Sequence, residues 1–354
     1  MSYPKPPVSK GAVKRAGRAI SNNAATSEDY DLVDQWRASH GYVINTFQAW
    51  IKGHIGRQKY SVEFAQRLKR KKTVHGKLRR LRPDGTPLIS DVSSMQDFAG
   101  CRLIFNTIGD LRNFRDYLTS SEVMRNVKHT LRYDPEKYDY ILNPKSTGYR
   151  GVHDVFRHFP RRHRRNLVSS GEWDGLMVEV QYRTRAQHAW ATAVEISDIV
   201  DGERTKFELE QSERGRFFAI ASEIIARQHE GASNALNELT LDELKGELQA
   251  LEDNLGVMQR LEVLRQFEVE DLLQRHNVLN IYLDDSGRLQ LEVYQFSTGA
   301  PAIAKASELE NDKSSVNAVY VRSDNPAQLR STYRNYFNDP IDFVNLLRDE
   351  ADLT

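Results

Sequence analysis

The sequence predicts an α/β (α+β) fold, a mixed β-sheet with flanking helices, followed by a smaller C-terminal α+β module. Two patterns predict it. Apolar runs of strand character, Phe98–Phe105, Gly151–Phe159 and Leu176–Tyr182, alternate with segments of helical spacing, Glu28–Ile55, Leu111–Leu118 and Gln187–Ile199. After a small-residue and polar stretch at 231–237, acid-rich helical segments are followed by three more strand-like runs. With 354 residues and 39% apolar content, the chain is large enough for one large or two medium domains.

Taken in order, residues 1–27 carry Pro, Ser, Lys, Arg and Asn with little periodicity and read as a flexible N-terminal arm. Leu32, Trp36, Val43, Phe47 and Trp50 then fall at helical spacing. A second helix is expected over Val62–Lys71, with Phe64 and Leu68 inward and Arg67, Arg70 and Lys71 outward. Arg82–Gly85 is a turn, Val127–Tyr133 a strand, and Asp134–Arg150 a long loop containing Pro135, Pro144 and Gly148. A helix over Phe207–Gln228 closes the first domain, so residues 28–230 form one unit and 238–354 another. In the latter, strands are expected over Val278–Leu283, Leu289–Phe296 and Ala318–Arg322, with a hairpin turn at Asp285-Ser286-Gly287 and a last helix from Pro326 to Leu347.

The net charge of +1 hides segregation. From Lys52 to Arg82 there are twelve Lys/Arg and one acid, and Arg157–Arg165 holds five Arg and two His. Residues 238–271 are mostly acidic. Such asymmetry points to an anionic ligand on one side and a solvated or regulatory segment on the other. The lone Cys101 excludes an internal disulfide and a Cys-rich zinc site, and its apolar run makes it a buried structural thiol. Without a signal-peptide core or a span of about 20 apolar residues, the chain reads as cytoplasmic, with no membrane partner.

The chemistry concentrates at two strand ends. Glu179-Val180-Gln181-Tyr182-Arg183-Thr184 closes one strand and runs into a helix. Asp97, Gly100 and Arg102 open another. Two acids on neighbouring strands, surrounded by cations, suit a magnesium-dependent site for a polyphosphate. A carboxylate inside an apolar strand demands a partner or a metal.

These parts occur in a set order: Arg57-Gln58-Lys59; Arg67, Arg70 and Lys71; Asp97-Phe98-Ala99-Gly100-Cys101-Arg102; Lys145; Gly148-Tyr149-Arg150-Gly151-Val152-His153; Glu179 to Thr184; His188-Ala189-Trp190-Ala191. Over about residues 50–200 this order resembles the synthetase domain of the RelA/SpoT family, the alarmone synthetases, and looks closer to its small stand-alone members. The resemblance implies a nucleotidyltransferase-like synthetase fold and transfer of the β,γ-pyrophosphate of ATP to the 3′-hydroxyl of GDP or GTP, making (p)ppGpp with Mg2+. It implies that Arg57 and Arg102 hold adenine, and that Lys59, Arg67 and Arg70 hold the ATP phosphates. Asp97 becomes the magnesium carboxylate and Glu179 the second acid, which shares the metal or draws the proton from the attacking hydroxyl, with Tyr149 stacking on the acceptor base. Lys145, His153, Gln181 and Arg183 fall on the acceptor side.

Three positions depart from the family pattern. Glu63 stands near a usual serine, Gly151 replaces the serine after Tyr-Arg, and Ile196 replaces the histidine after Glu195. Toxin-like relatives in the same superfamily modify the tRNA 3′ end or adenosine nucleotides, and the basic clusters suit such an RNA acceptor. In that reading residues 240–354 restrain the enzyme in cis, either on the synthetase domain or through a regulatory partner. His188 and Trp190 read as packing residues, and no hydrolase motif accompanies the synthetase motifs.

Overall fold

The computed structural model describes residues 3–7, 9–69, 71–89, 91–125, 127, 129–159, 171–200, 212–232, 236–262, 276–284, 289–309, 312, 314–322 and 339–348. The chain divides into two compact units, Met1–Asp139 with Gly151–Thr184, and Tyr140–Arg150 with Arg185–Thr354. The boundary expected near 231–237 lies inside the second unit, and the Tyr149 loop belongs to that unit rather than to the strands flanking it in sequence.

The first unit is a five-stranded mixed sheet in the order β1-β2-β5-β4-β3: β1 Glu63–Leu68, β2 Ala99–Phe105, β3 Thr130–Leu131, β4 Val152–Arg157, β5 Met177–Thr184. β2 and β5 are parallel and every other pairing is antiparallel. Because successive side chains alternate faces, register sorts the residues. One face carries Cys101, Leu103, Phe105, Val180, Tyr182, Val152, Asp154 and Phe156. Helix α2 (Ser27–Gln58) covers it through Phe47 against Phe156, and α4 (Ile108–Thr119), which the short α5 (Ser121–Met124) follows, through Phe114 against Phe105. Cys101 is buried there, and loss of hydration pushes its thiol up to about 12, as an inert core cysteine requires. The opposite face carries Arg102, His153, Glu179, Gln181 and Arg183.

Helix α2 starts where Thr26 and Asp29 form a capping box, and it buries Val33, Trp36, Val43, Phe47 and Ile51 along one stripe. Two expectations fail nearby. Residues 10–21 form a helix, α1 (Lys10–Ser21), where an irregular arm was expected. Ser9 caps it, and Val13, Ala16, Gly17 and Ile20 are buried at i, i+3, i+4 and i+7; the lysines and arginines on its other side hid that stripe. The helix expected over 62–71 is strand β1, with α3 (Lys71–Leu78) following it. Phe64 pairs with Leu103 and Gln66 with Cys101, so the edge of β2 satisfies the backbone that a short isolated helix would leave marginal. The strand expected over 127–133 shrinks to Thr130–Leu131.

Three histidines are sealed among aromatic rings of this unit. His40 donates from Nδ1 to Trp36 O at 2.8 Å and lies 5.0 Å from Phe98. His129 stacks on Phe47 at 4.4 Å and neighbours His158 at 5.1 Å. Burial holds His40 and His158 at about 4 and His129 at about 3, against an ordinary 6.5. All three stay neutral when folded but take up protons near pH 6.5 when unfolded. Their contribution is therefore complete above that pH and is lost as pH falls from there through the folded values. Three such groups lower stability by about 3 kcal/mol between pH 6.5 and 5.5. Amide exchange in β2 and β4 at the two pH values, corrected for intrinsic rates, measures it; equal protection would refute it.

The second unit contains α6 (Arg185–Val200), α7 (Glu213–His229), α8 (Leu241–Leu255) and α9 (Val257–Glu262), with the helical residues 339–348. Trp190, Val194, Phe217, Phe218, Ile224, Leu248, Phe343 and Leu347 share one apolar cluster. Arg216 bridges α7 to Glu247 of α8 through two bonds of 2.7 Å. Strands β6 (His276–Leu283), β7 (Leu289–Phe296) and β8 (Ser315–Arg322) form an antiparallel sheet in the order β7-β6-β8. An unexpected helix, α10 (Gly299–Leu309), packs Ala302, Ala306 and Leu309 against Val278 and Ala318. The expected turn at 285–287, the cluster at 161–165, and residues 201–211, 263–275 and 323–338 lie outside the described residues. No helix among those described is long and apolar enough to cross a membrane.

Candidate active site

Asp97 ends the approach to β2, and Glu179 sits in the adjacent parallel strand, where its backbone pairs with Gly100. Lys69, just after β1, donates to Asp97 Oδ2 at 2.5 Å; Lys77 of α3 donates to the same oxygen at 3.1 Å. The charge of Lys69 also helps lower the Glu179 carboxyl, as the smallest of several influences. Asp97 Oδ1 is buried and has no hydrogen-bond partner among the described residues.

Glu179 receives His153 Nδ1 on Oε1 at 3.1 Å and Gln181 Nε2 on Oε2 at 2.7 Å. Burial by itself raises a carboxyl pKa, but the His153 charge, these two hydrogen bonds and Lys69 outweigh it and bring Glu179 down to about 2. It is therefore ionised across the neutral range. Gln181 also accepts from Arg102 Nε at 3.4 Å, giving a chain Arg102–Gln181–Glu179–His153 across three strands. Two-residue spacing on β5 puts Glu179, Gln181 and Arg183 on one face, and Arg183 is buried.

A divalent cation fits these residues. Magnesium is held by one or two carboxylates together with substrate phosphates rather than by a full protein cage. Asp97 offers a carboxylate oxygen that no described residue uses, and Glu179 on the adjacent strand is ionised. No cluster of three or more His, Cys, Asp or Glu metal ligands occurs among the described residues. The remaining ligands would come from the polyphosphate and water.

The other cations expected on the ATP side are Arg57, Lys59, Arg67 and Arg70. Arg57 and Lys59 are exposed at the end of α2, where Lys59 adopts φ +56°. β1 aligns position 67 with Gly100; the Arg67 side chain and all of Arg70 lie outside the described residues. Among the described residues, Lys69 and Lys77 are the cations on Asp97, and neither stood out in the sequence. Their signal was the basic run itself; choosing among its members required knowing that residues 63–68 are a strand.

The second unit carries Tyr149 in the loop 140–150. Its half-buried ring meets Tyr140 edge-on at 5.6 Å and Trp190 at 6.3 Å. The exposed Lys145 places its ammonium 4.5 Å from the Tyr140 ring and 5.2 Å from Tyr149. Gly148 has φ +85°, and a Cβ there would lie 2.9 Å from both Ala219 Cα and Ser222 Cβ, so the loop touches α7 where only glycine fits. Gly151, in place of a serine in the family pattern, has φ +144°, a conformation that favours glycine. His188 and Trp190 are packing residues: His188 Nε2 pairs with Asp339 at 3.0 Å, and Trp190 Nε1 donates to Phe218 O at 2.8 Å.

Residues 66–197 match the family described as "Region found in RelA / SpoT proteins". Among solved structures, the chain is 22% identical to small alarmone synthetase 1 from Bacillus subtilis, solved with its product pppGpp (54% of this chain, 89% of that one, TM-score 0.41). It is 21% identical to small alarmone synthetase 2 from Bacillus subtilis (52% and 89%, TM-score 0.38). It is 18% identical to a GTP pyrophosphokinase family protein from Streptococcus pneumoniae (64% and 92%, TM-score 0.35). No curated protein matches the chain. Residues 66–197 are therefore a region of the type found in RelA/SpoT proteins.

Proposed function

We propose that the chain moves the β,γ-pyrophosphate of ATP onto the 3′-hydroxyl of GDP or GTP, giving ppGpp or pppGpp, with Mg2+ held by Asp97 and Glu179. The observation that carries this reading is the pair of acids on neighbouring strands, with Lys69 and Lys77 on Asp97 and its Oδ1 without a partner among the described residues.

Pyrophosphoryl transfer spreads charge over phosphate oxygens, so positioning and charge neutralisation dominate its catalysis and no protein nucleophile is required. Asp97 and Glu179 would hold a magnesium ion, which would supply neutralisation of the charge on the phosphate oxygens. Lys69 and Lys77 bring two further positive charges to the same place. Glu179 is held as a charged carboxylate by His153 and Gln181. In that form it shares the cation or draws the proton from the attacking hydroxyl. His153 and Gln181, assigned to the acceptor side, also hold both oxygens of Glu179. Arg57 and Arg102 take the adenine, Lys59, Arg67 and Arg70 the ATP phosphates, and Lys145, Tyr149 and Arg183 the acceptor.

The test is incubation with γ-labelled ATP and Mg2+ beside GDP, GTP, AMP, ADP and deacylated tRNA in separate reactions. Label in a guanosine product that runs as ppGpp or pppGpp is the expected outcome. Label on tRNA or an adenosine nucleotide would replace this reading with the toxin-like one.

A further inference from the structure

Tyr149 is held by its neighbours in the chain. Gly148 O accepts from Ser222 Oγ at 2.5 Å, and Arg150 Nη2 donates to Glu223 Oε2 at 2.8 Å. Both partners lie on α7, some seventy residues later and outside every motif singled out in the sequence. Glu223 is fully buried. Its second oxygen accepts from Arg227 Nε at 2.9 Å, and Arg227 spends its other nitrogens on the carbonyls of Leu236 and Leu239, at 2.8 and 2.7 Å. A buried carboxylate survives only when its charge is matched and its lone pairs are used, and two guanidinium groups do so here. The loop also closes on itself, Gly148 N–H donating to Lys145 O at 2.8 Å.

We infer that Glu223, with Ser222, is a positioning residue that fixes the Tyr149 loop on α7 so that the tyrosine ring is presented to the acceptor base. The residues before and after Tyr149 are each pinned to consecutive positions of one helix, so the ring's backbone has little freedom left. Preorganisation of this kind lowers the ordering cost of binding and appears in the acceptor's KM rather than in the chemical step. The inference rests on the proposed acceptor role of Tyr149, and its test separates the two.

In Glu223→Gln, amide exchange over residues 144–151 is expected to speed up by about tenfold or more, a readout that needs no substrate. KM for GTP should rise about tenfold, with kcat within about twofold and KM for ATP unchanged. In a Tyr149→Ala background the effect on the GTP KM should vanish, because the two residues then act as one unit. Ser222→Ala, which leaves no buried charge behind, is expected to give the same pattern and serves if Glu223→Gln does not fold. Unchanged exchange in the loop, or a GTP effect that persists without Tyr149, overturns the inference. Absence of any guanosine product from the wild-type enzyme would instead overturn the functional reading, with the exchange result still judging the loop.

Discussion

Glu179→Gln is expected to lower pyrophosphoryl transfer by at least about 10²–10³-fold, the usual loss when a preorganised electrostatic partner of a transition state is removed. The amide keeps the shape and one acceptor oxygen but carries no charge. The cation then loses a ligand, and His153 loses the carboxylate at 3.1 Å that orients it. Asp97→Asn should lose as much, because it removes both the unused Oδ1 charge and the partner of Lys69 and Lys77. Because Glu179 is ionised from about pH 2 upward, the wild-type pH–rate profile between 5 and 8 should show no limb that disappears in Glu179→Gln. Labelled-ATP turnover with magnesium measures all three. Activity within tenfold of wild type in either variant would remove the acids from the site.

The largest expected loss of stability comes from the other face of the sheet. Arg115 of α4 grips Asp154 of β4, Nη2 to Oδ1 at 2.8 Å and Nε to Oδ2 at 3.1 Å, and donates to Pro135 O at 2.6 Å. Both side chains are almost wholly buried. Arg112 and Asp139 form a second ion pair one helical turn away. Arg115→Met strands a buried carboxylate, which costs about 3–5 kcal/mol, whereas Arg115→Met with Asp154→Asn should recover much of it by removing the unpaired charge. Native-state amide exchange in β4 and β5 reports this for the first unit by itself. A single variant that costs under about 1 kcal/mol would show that water or a rearranged cation replaces Arg115.

The sequence carried most of the central sheet. Strands β2, β4 and β5 are apolar runs bounded by turn residues, and Asp97, Glu179 and Tyr149 stood out as polar groups where such runs end or where a glycine precedes them. Strand β1 and helix α1 were illegible for opposite reasons. Phe64 and Leu68 fit either period, so the choice fell to the free edge of β2. The α1 stripe is four small or aliphatic residues among basic ones, and burial of that stripe became visible only in the folded chain. The C-terminal segment reads differently once folded. Phe343, Val344 and Leu347 join the core around α6 and α7.

By itself, then, the chain's order of residues determined which groups are chemically capable: the two acids, the basic run, the tyrosine after a glycine, and the strand ends that carry them. Local pattern suffices for that, because charge, apolar periodicity and turn chemistry act over a few residues. Only tertiary structure decided which cations those acids meet and what steadies the tyrosine. Lys69 and Lys77 reach Asp97 because β1 pairs with β2, and Glu223 reaches Arg150 because α7 packs on the Gly148 loop. Those contacts join residues 20 to 73 positions apart, and burial, which no short window of sequence contains, is what gives them their energy.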